Sequence, residues 1–223
     1  MNSPLVSRSS TQPSAIQTNK VLRNTYFLLS MTLFTSAIAA VVTMAIQISP
    51  MMAIGMQLAA IGILFFVMPK AINSSAGVVW TFVFTTLMGA ALGPMLNYYA
   101  AMPNGAGVIA QALGMTGLVT MGLSAYAITS KKDFSFMRSF LMAGLIIVIV
   151  ASLLNIFFVQ SSMMHIVISS VSAMVFSGFI LYDTGRIVRG EETNYINATI
   201  SMYLNILNLF VSLLHILGFL NDD

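Results

Sequence analysis

The sequence predicts an all-α integral membrane protein with seven transmembrane helices, and three observations support that class. First, 58% of the residues are hydrophobic and only 7% are charged, whereas a soluble domain usually carries about 25% charged residues. Second, seven apolar runs have the length of a membrane-spanning helix, roughly 18 to 25 residues. Third, all nine Lys and Arg residues fall on what would be one side of the membrane.

The seven runs, called spans 1 to 7, follow one another with short connections and leave little chain for a soluble domain. They cover residues 26–48, 51–68, 76–99, 107–129, 140–159, 164–182 and 196–220. Residues 1–19 are rich in Ser, Thr, Gln and Asn, a composition typical of a flexible cytoplasmic tail. We therefore predict two parts, a tail of residues 1–19 and a single seven-helix bundle of residues 20–223.

The positions of the basic residues predict the topology. Arg8, Lys20 and Arg23 precede span 1, Lys70 follows span 2, Lys131, Lys132 and Arg138 follow span 4, and Arg186 and Arg189 follow span 6. The alternate gaps carry no charge, so the positive-inside rule predicts a cytoplasmic N-terminus and places Asp222 and Asp223 on the far side. Topology thus explains the net charge of +3, and no basic face indicates nucleic-acid binding.

Glycines in spans 3 and 4 predict close helix packing, because small residues let helices approach one another in lipid. Gly89 and Gly93 have the GxxxG spacing, and Pro94 is expected to kink span 3 because it lacks a backbone donor. The small residues Gly114, Gly117 and Gly122 predict a similar packing surface on span 4. A hinge linked to substrate movement is the alternative interpretation of these glycines.

Span 7 carries a polar stripe on one helical face. Its members, at steps of four, three, four and three residues, are Ser201, Asn205, Asn208, Ser212 and His215. A polar stripe cannot face lipid without cost, so we expect span 7 to lie centrally with this face toward the interior. The stripe either forms hydrogen bonds that hold the helices together or lines a path for ions or protons.

Asp183 and Arg186 lie at the cytoplasmic end of span 6. Their i,i+3 spacing allows a simple ion pair in the headgroup region. Alternatively, Asp183 turns toward the polar face of span 7 and controls a cytoplasmic gate, since intramembrane carboxylates usually face a cavity or a partner. His165, at the other end of span 6, is interpreted as an interfacial residue.

The sequence does not favour an enzyme. It contains no cysteine, so disulfides, thiolate metal sites and thiol catalysis are excluded. It also lacks a zinc H-E-x-x-H motif and a paired intramembrane aspartate. The segment from Gly122 to Ser124, taken with His165, has only a superficial likeness to a membrane serine protease. We therefore predict neither catalytic residues nor a cofactor or resident metal ion.

Three separated segments resemble the Bax inhibitor family of seven-helix membrane proteins. They are Lys131-Lys132-Asp133-Phe134-Ser135-Phe136, Phe179-Ile180-Leu181-Tyr182-Asp183-Thr184 and residues 202–210. Residues 20–30, Leu92-Gly93-Pro94 and residues 192–196 resemble a bacterial branch of that family, found in the inner membrane, which binds and modulates the membrane AAA protease FtsH. The likeness extends over nearly the whole chain from Lys20.

The resemblance implies a fold with six helices around a central, more polar seventh, and it implies two activities. One is binding and restraint of FtsH. The other is a calcium leak, sensitive to protons, in which aspartates on helices 6 and 7 share a proton near a basic residue of helix 2. Asp183 matches the first aspartate, Asn205 occupies the second position, and Lys70 is the nearest candidate for the basic residue. Since an amide does not titrate, we expect weak or absent pH dependence.

Overall fold

The computed structural model describes residues 15–130 and 132–222, and the regular structure within these ranges is helical. Seven helices are long and apolar enough to cross a membrane, which confirms the predicted class. In chain order they are α1 Ala15–Ala45, α2 Pro50–Ala71, α3 Ser75–Ala100, α4 Gly105–Ser130, α5 Met137–Val159, α6 Ser162–Val188 and α7 Tyr195–Asp222.

The central position of α7 is confirmed. Half of its most apolar window is buried, against 11% for α5. It packs on α1, α3, α4 and α6, while α2 packs on α3 and α5 packs on α6. The helix that carries the polar stripe is therefore the one most enclosed by the others.

Two helix ends extend furthest beyond the predicted boundaries. α1 begins at Ala15, so residues 15–19 of the predicted tail are helical, and residues 1–14 lie outside the described residues. α6 continues to Val188, beyond the predicted end at 182, which places Asp183 and Arg186 inside a helix. In both cases the helix continues past its apolar run, because the backbone hydrogen-bond ladder tolerates polar residues at a membrane surface.

The predicted break in span 3 is present. α3 consists of two helical segments, Ser75–Ala90 and Gly93–Ala100, with a turn between them and Pro94 in the first turn of the second. A Cβ atom added at Gly89 would overlap Ser36, and one added at Gly93 would lie 2.5 Å from the Thr43 hydroxyl. These two glycines therefore allow the close contact between α1 and α3.

The prediction for the glycines of span 4 is wrong. A Cβ atom added at Gly114, Gly117 or Gly122 would meet no atom within 4 Å. The small-residue surface of α4 thus faces outward instead of packing against a neighbouring helix, because α4 contacts α6 and α7 through another face.

Tyr203 joins three helices in the core. Its side chain is fully buried, and its hydroxyl donates to the Thr85 carbonyl of α3 at 2.9 Å. The Ser36 hydroxyl of α1 lies 2.7 Å from the same oxygen, and the Phe84 ring packs edge-on against the tyrosine ring. This side of α7 is consequently closed by both apolar packing and hydrogen bonds.

Candidate functional site

A polar cavity of about 980 Å³ lies between α5, α6 and α7, with Gln57 of α2 on its wall. All five stripe residues of α7 line it, as do Asp183 and Arg186. Asn205 and Ser212 are buried, whereas Ser201, Asn208 and His215 are half-buried. The stripe thus faces a partly open space that extends along much of the helix, and we call this space the polar cavity.

Asp183 connects α6 to α7 at one end of the polar cavity. The Asn205 side-chain amide donates to a carboxylate oxygen of Asp183 at 2.8 Å, and both residues are buried. The other carboxylate oxygen lies 3.7 Å from the Arg186 guanidinium. The two interpretations of Asp183 are therefore not exclusive, since the carboxylate makes the i,i+3 ion pair and also contacts the polar face of α7.

Arg186 extends this network into the connection between α6 and α7. Its guanidinium lies 3.6 Å from the Glu192 carboxylate. Glu192 in turn accepts hydrogen bonds from the Asn197 side chain at 2.6 Å and from the Asn194 backbone at 2.9 Å. Asp183 is thereby linked through Arg186 to the first turn of α7, so movement of α6 against α7 would disturb both the hydrogen bond from Asn205 and the ion pair with Glu192.

Asn194 fixes the same connection to the end of α2. Its amide donates to the Ile72 carbonyl and to the Asn73 side chain, both at 3.0 Å. Lys70, the candidate basic partner, is exposed on α2 and is not among the cavity-lining residues. Within the described part of the chain, the cation paired with Asp183 is Arg186, because the adjacent turn of α6 places it closer.

A second ionic cluster lies outside the membrane-spanning segments. Arg189 makes a short pair with Glu191 at 2.7 Å and donates to the Lys132 carbonyl at 3.1 Å. The hydrogen bond to Glu191 raises the pKa of Arg189. Hydrogen bonds from Ser135 lower the pKa of Asp133, which lies 3.4 Å from Arg189. These contacts hold the connection between α4 and α5 against the end of α6.

At the opposite end of the polar cavity, the two histidines of the chain lie side by side. The ring centroids of His165 and His215 are 4.4 Å apart, and the Ser169 hydroxyl lies 3.4 Å from Nδ1 of His215. His165 is exposed, as the interfacial interpretation expects, but its pairing with His215 was not predicted. The described residues hold no group of three or more His, Cys, Asp or Glu that could bind a metal ion.

Sequence reasoning missed part of the cavity wall on α6. His165, Ser169 and Ser172 all line the polar cavity, and their steps of four and three residues match the stripe period of α7. Glu192 and Asn197 were also missed as members of the network; Glu192 lies outside the apolar runs, whereas Asn197 lies in span 7, four residues before Ser201. The spacing of His165, Ser169 and Ser172 could have predicted their place on the cavity wall, whereas no local pattern indicated the contacts made by Glu192.

The stripe residues contribute unequally to contacts between helices. The Asn208 amide donates to the Leu204 carbonyl at 2.8 Å, and the Ser212 hydroxyl donates to the Asn208 carbonyl at 2.7 Å. Both bonds lie within α7, so the hydrogen-bond donors of these two side chains are satisfied by their own helix. The remaining polar atoms of the side chains stay at the cavity surface. Asn205 and His215 instead make polar contacts with α6, near the two ends of the polar cavity.

Comparison with known proteins is consistent across the chain. Residues 18–222 match the family described as "Inhibitor of apoptosis-promoting Bax1". An uncharacterized membrane protein of Vibrio cholerae is 76% identical over all of both chains. The "Modulator of FtsH protease YccA" of Escherichia coli K12 is 45% identical, covering 98% of this chain and 99% of the relative. An uncharacterized protein of Pseudomonas aeruginosa is 45% identical over 91% of this chain and 90% of its own length. The chain, a multi-pass membrane protein, therefore belongs to the Bax inhibitor family.

Proposed function

We propose that this protein resides in the bacterial inner membrane, binds an FtsH-type membrane protease and restrains its action on other membrane proteins. The observation that carries the proposal is the likeness to YccA, which extends over 98% of this chain. A close relative of that protein in another Escherichia coli strain carries the name "Inner membrane protein YccA". Likeness over nearly the full length supports a shared mode of action, because it includes the tail and connections as well as the apolar helices.

The N-terminal segment suggests how the protease is engaged. FtsH-type proteases grip substrates through a flexible cytoplasmic end, and residues 1–14 precede the first turn of α1. Fully extended, fourteen residues reach at most about 46 to 50 Å. Such a segment supplies a handle, while the core around Tyr203 resists extraction of the helices that follow. In this mechanism the protein occupies the protease as a slowly processed client and so limits its action on others.

The test is deletion of residues 2–14, a boundary that leaves α1 intact. We expect the truncated protein to fold and to persist in cells much longer than the full chain, because the handle is lost. A full-length variant with residues 2–14 scrambled is the control, and it should retain the original half-life if length and polarity are what matter. Pulse-chase measurement and co-purification with FtsH from native membranes give the two readouts. A half-life unchanged by truncation, together with no co-purified FtsH, would contradict the proposal.

A cation leak through the polar cavity is the second candidate function. The observation in its favour is a buried carboxylate, Asp183, hydrogen-bonded to Asn205 in the wall of a cavity of about 980 Å³. Opening that contact would connect the chamber to the end of the bundle where the basic residues lie. In this mechanism Asp183 attracts the cation, whether calcium or a proton, and the contact with Asn205 closes the path.

Calcium flux into liposomes tests this second function. If Asp183 closes on Asn205, Asp183→Asn should raise the flux because the charge that holds the latch is removed. Asn205→Asp should place two carboxylates within hydrogen-bond distance, where they must share a proton, and should make the flux depend on pH. Arg138→Gln is a control on the cavity wall that leaves the latch intact. Little flux from the unmodified protein at any pH would favour protease modulation alone, and a strong pH-gated leak would contradict the expectation drawn from Asn205.

A further inference from the structure

A second cavity lies on the other side of the bundle and differs in character from the polar cavity. It is a groove of about 520 Å³ between α1 and α4, with Ile206, Leu207 and Phe210 of α7 among its lining residues. Leu33 and Ala37 line it from α1, and Gly117 lines it from α4. We call this space the apolar groove. Neither the proposed protease binding nor the cation path uses it.

The apolar groove is long enough to follow one leaflet and reach into the other. Its lining residues on α1 extend from Tyr26 to Met44. At 1.5 Å per residue this stretch of helix measures about 27 Å, close to the roughly 30 Å thickness of the hydrocarbon core of a bilayer. An occupant therefore lies along the membrane normal, as a lipid chain does.

The width of the apolar groove favours a hydrocarbon chain over a protein helix. A helix with side chains has a diameter of about 10 to 12 Å, and over this length it would occupy on the order of 2000 Å³. The groove, at about 520 Å³, is smaller than that. A helix could lie only across its opening, whereas a single acyl chain fits inside.

Positive charge lies where the headgroup of such a lipid would be. Arg23 is seven residues before Ser30, which lines the apolar groove, so the two residues share a face of α1. Arg23 and Lys20 are both exposed, and the ion pairs among the described residues are made by Arg186 and Arg189 instead. Long basic side chains next to an apolar run extend toward the headgroup region, where they attract anionic phospholipids.

We propose that the apolar groove is a binding site for an anionic phospholipid. One acyl chain lies between α1 and α4 against Phe210, and the phosphate pairs with Arg23, assisted by Lys20. The lipid lies over the buried α7 residues Ile206, Leu207 and Phe210, which line the groove. It also explains why Gly117 faces outward without a helix packed on it, since a side chain at that position would occupy the space of the acyl chain.

Gly117→Leu tests the proposal, because a Cβ atom at that position meets no atom within 4 Å and the larger side chain fills the groove. Gly114→Leu is the matched control, since it lies on the same helix, is equally open and does not line the groove. The full-length proteins are incubated with dioleoyl phosphatidylglycerol or dioleoyl phosphatidylcholine in mild detergent. Bound lipid is then counted by native mass spectrometry.

We expect the unmodified protein and Gly114→Leu to retain phosphatidylglycerol in preference to phosphatidylcholine. Gly117→Leu should lose most of the bound phosphatidylglycerol, because the leucine side chain occupies the space of the acyl chain. Arg23→Gln should bind both lipids equally, because the phosphate contact is removed and the chain contact stays. If Gly117→Leu does not fold, Ala37→Leu fills the same groove from α1 and should give the same loss.

Equal lipid retention by the unmodified protein, Gly117→Leu and Gly114→Leu would overturn the proposal, because the retained lipid would then be non-specific. A photo-reactive side chain placed at Gly117 gives a second readout in native membranes. Crosslinks to phospholipid support the proposal. Crosslinks to a membrane protein, without lipid, would show that a transmembrane helix occupies the opening and would overturn it.

Discussion

The side of α7 that packs on α1 and α3 differs in structure from the side that borders the polar cavity. Toward α1 and α3, Tyr203 is fully buried and hydrogen-bonded to both neighbouring helices. Toward α5 and α6, Asn205 and His215 make contacts near the two ends of a cavity of about 980 Å³. The same helix therefore has one side closed by a buried, hydrogen-bonded tyrosine and one that packs on α6 while bordering a polar cavity.

This difference leads us to expect unequal contributions to stability from the two sides of the helix. Close packing maximises dispersion contacts and leaves no space for water, so the Tyr203 side holds the fold together. Polar residues that border the cavity make fewer dispersion contacts on that face, but they can form hydrogen bonds to water and coordinate ions. Substitutions on the packed side are accordingly expected to cost more stability than those on the cavity side.

The largest effect is expected at Tyr203. Replacing it with alanine removes a fully buried aromatic side chain and should lower the free energy of unfolding by about 3 to 5 kcal/mol. Tyr203→Phe is the control, which keeps the ring and loses only the hydroxyl contacts with Ser36 and Thr85, at about 1 kcal/mol. Reversible unfolding in mixed micelles with increasing SDS measures both. Equal losses in the two variants would show that the hydrogen bonds, rather than the packed ring, hold this side.

The sequence predicted the fold more fully than it predicted the site. Seven apolar runs and the stripe on span 7 were sufficient to identify the helices and the central one. Membrane thickness sets the length of each run and the helical period sets the spacing of the stripe, and both can be recognised in consecutive residues. The break near Pro94 was also predictable, since proline lacks a backbone donor wherever it occurs. Helix ends were less accurate, as α1 and α6 both continue beyond their apolar runs.

The missed features depend on contacts between distant residues. Asp183 was a recognisable candidate, but its simultaneous contacts with Asn205 and Arg186 required the relative rotation of α6 and α7. The pairing of His165 with His215 likewise depends on which faces meet. The orientation of Gly117 also depends on which helix faces meet. The spacing of glycines along the sequence is the same whether they pack on a helix or face outward.

A smaller loss is expected from filling the contact between α1 and α3. Gly89→Leu would force a side chain into Ser36, beside the hydroxyl that contacts Tyr203, and overpacking of this kind costs about 1 to 3 kcal/mol. Gly114→Leu on α4 adds the same side chain where no atom lies within 4 Å and should leave stability unchanged or slightly higher, since leucine favours a helix over glycine. The same SDS titration measures the pair. If Gly114→Leu were as destabilising as Gly89→Leu, the outward orientation of the α4 glycines would be wrong.

The smallest effects are expected in the polar cavity, where two asparagines of the stripe should behave differently. Asn205→Leu removes the hydrogen bond to Asp183 and leaves the buried carboxylate with Arg186 alone, so we expect a loss of about 0.6 to 1.7 kcal/mol. Asn208→Leu removes only a bond within α7, and we expect a change within about 0.5 kcal/mol. Double-mutant cycles with Asp183→Asn complete the measurement, because only Asn205 should show coupling to position 183. Coupling of Asn208 to Asp183, or none at Asn205, would mean that the contact between α6 and α7 lies elsewhere along the stripe.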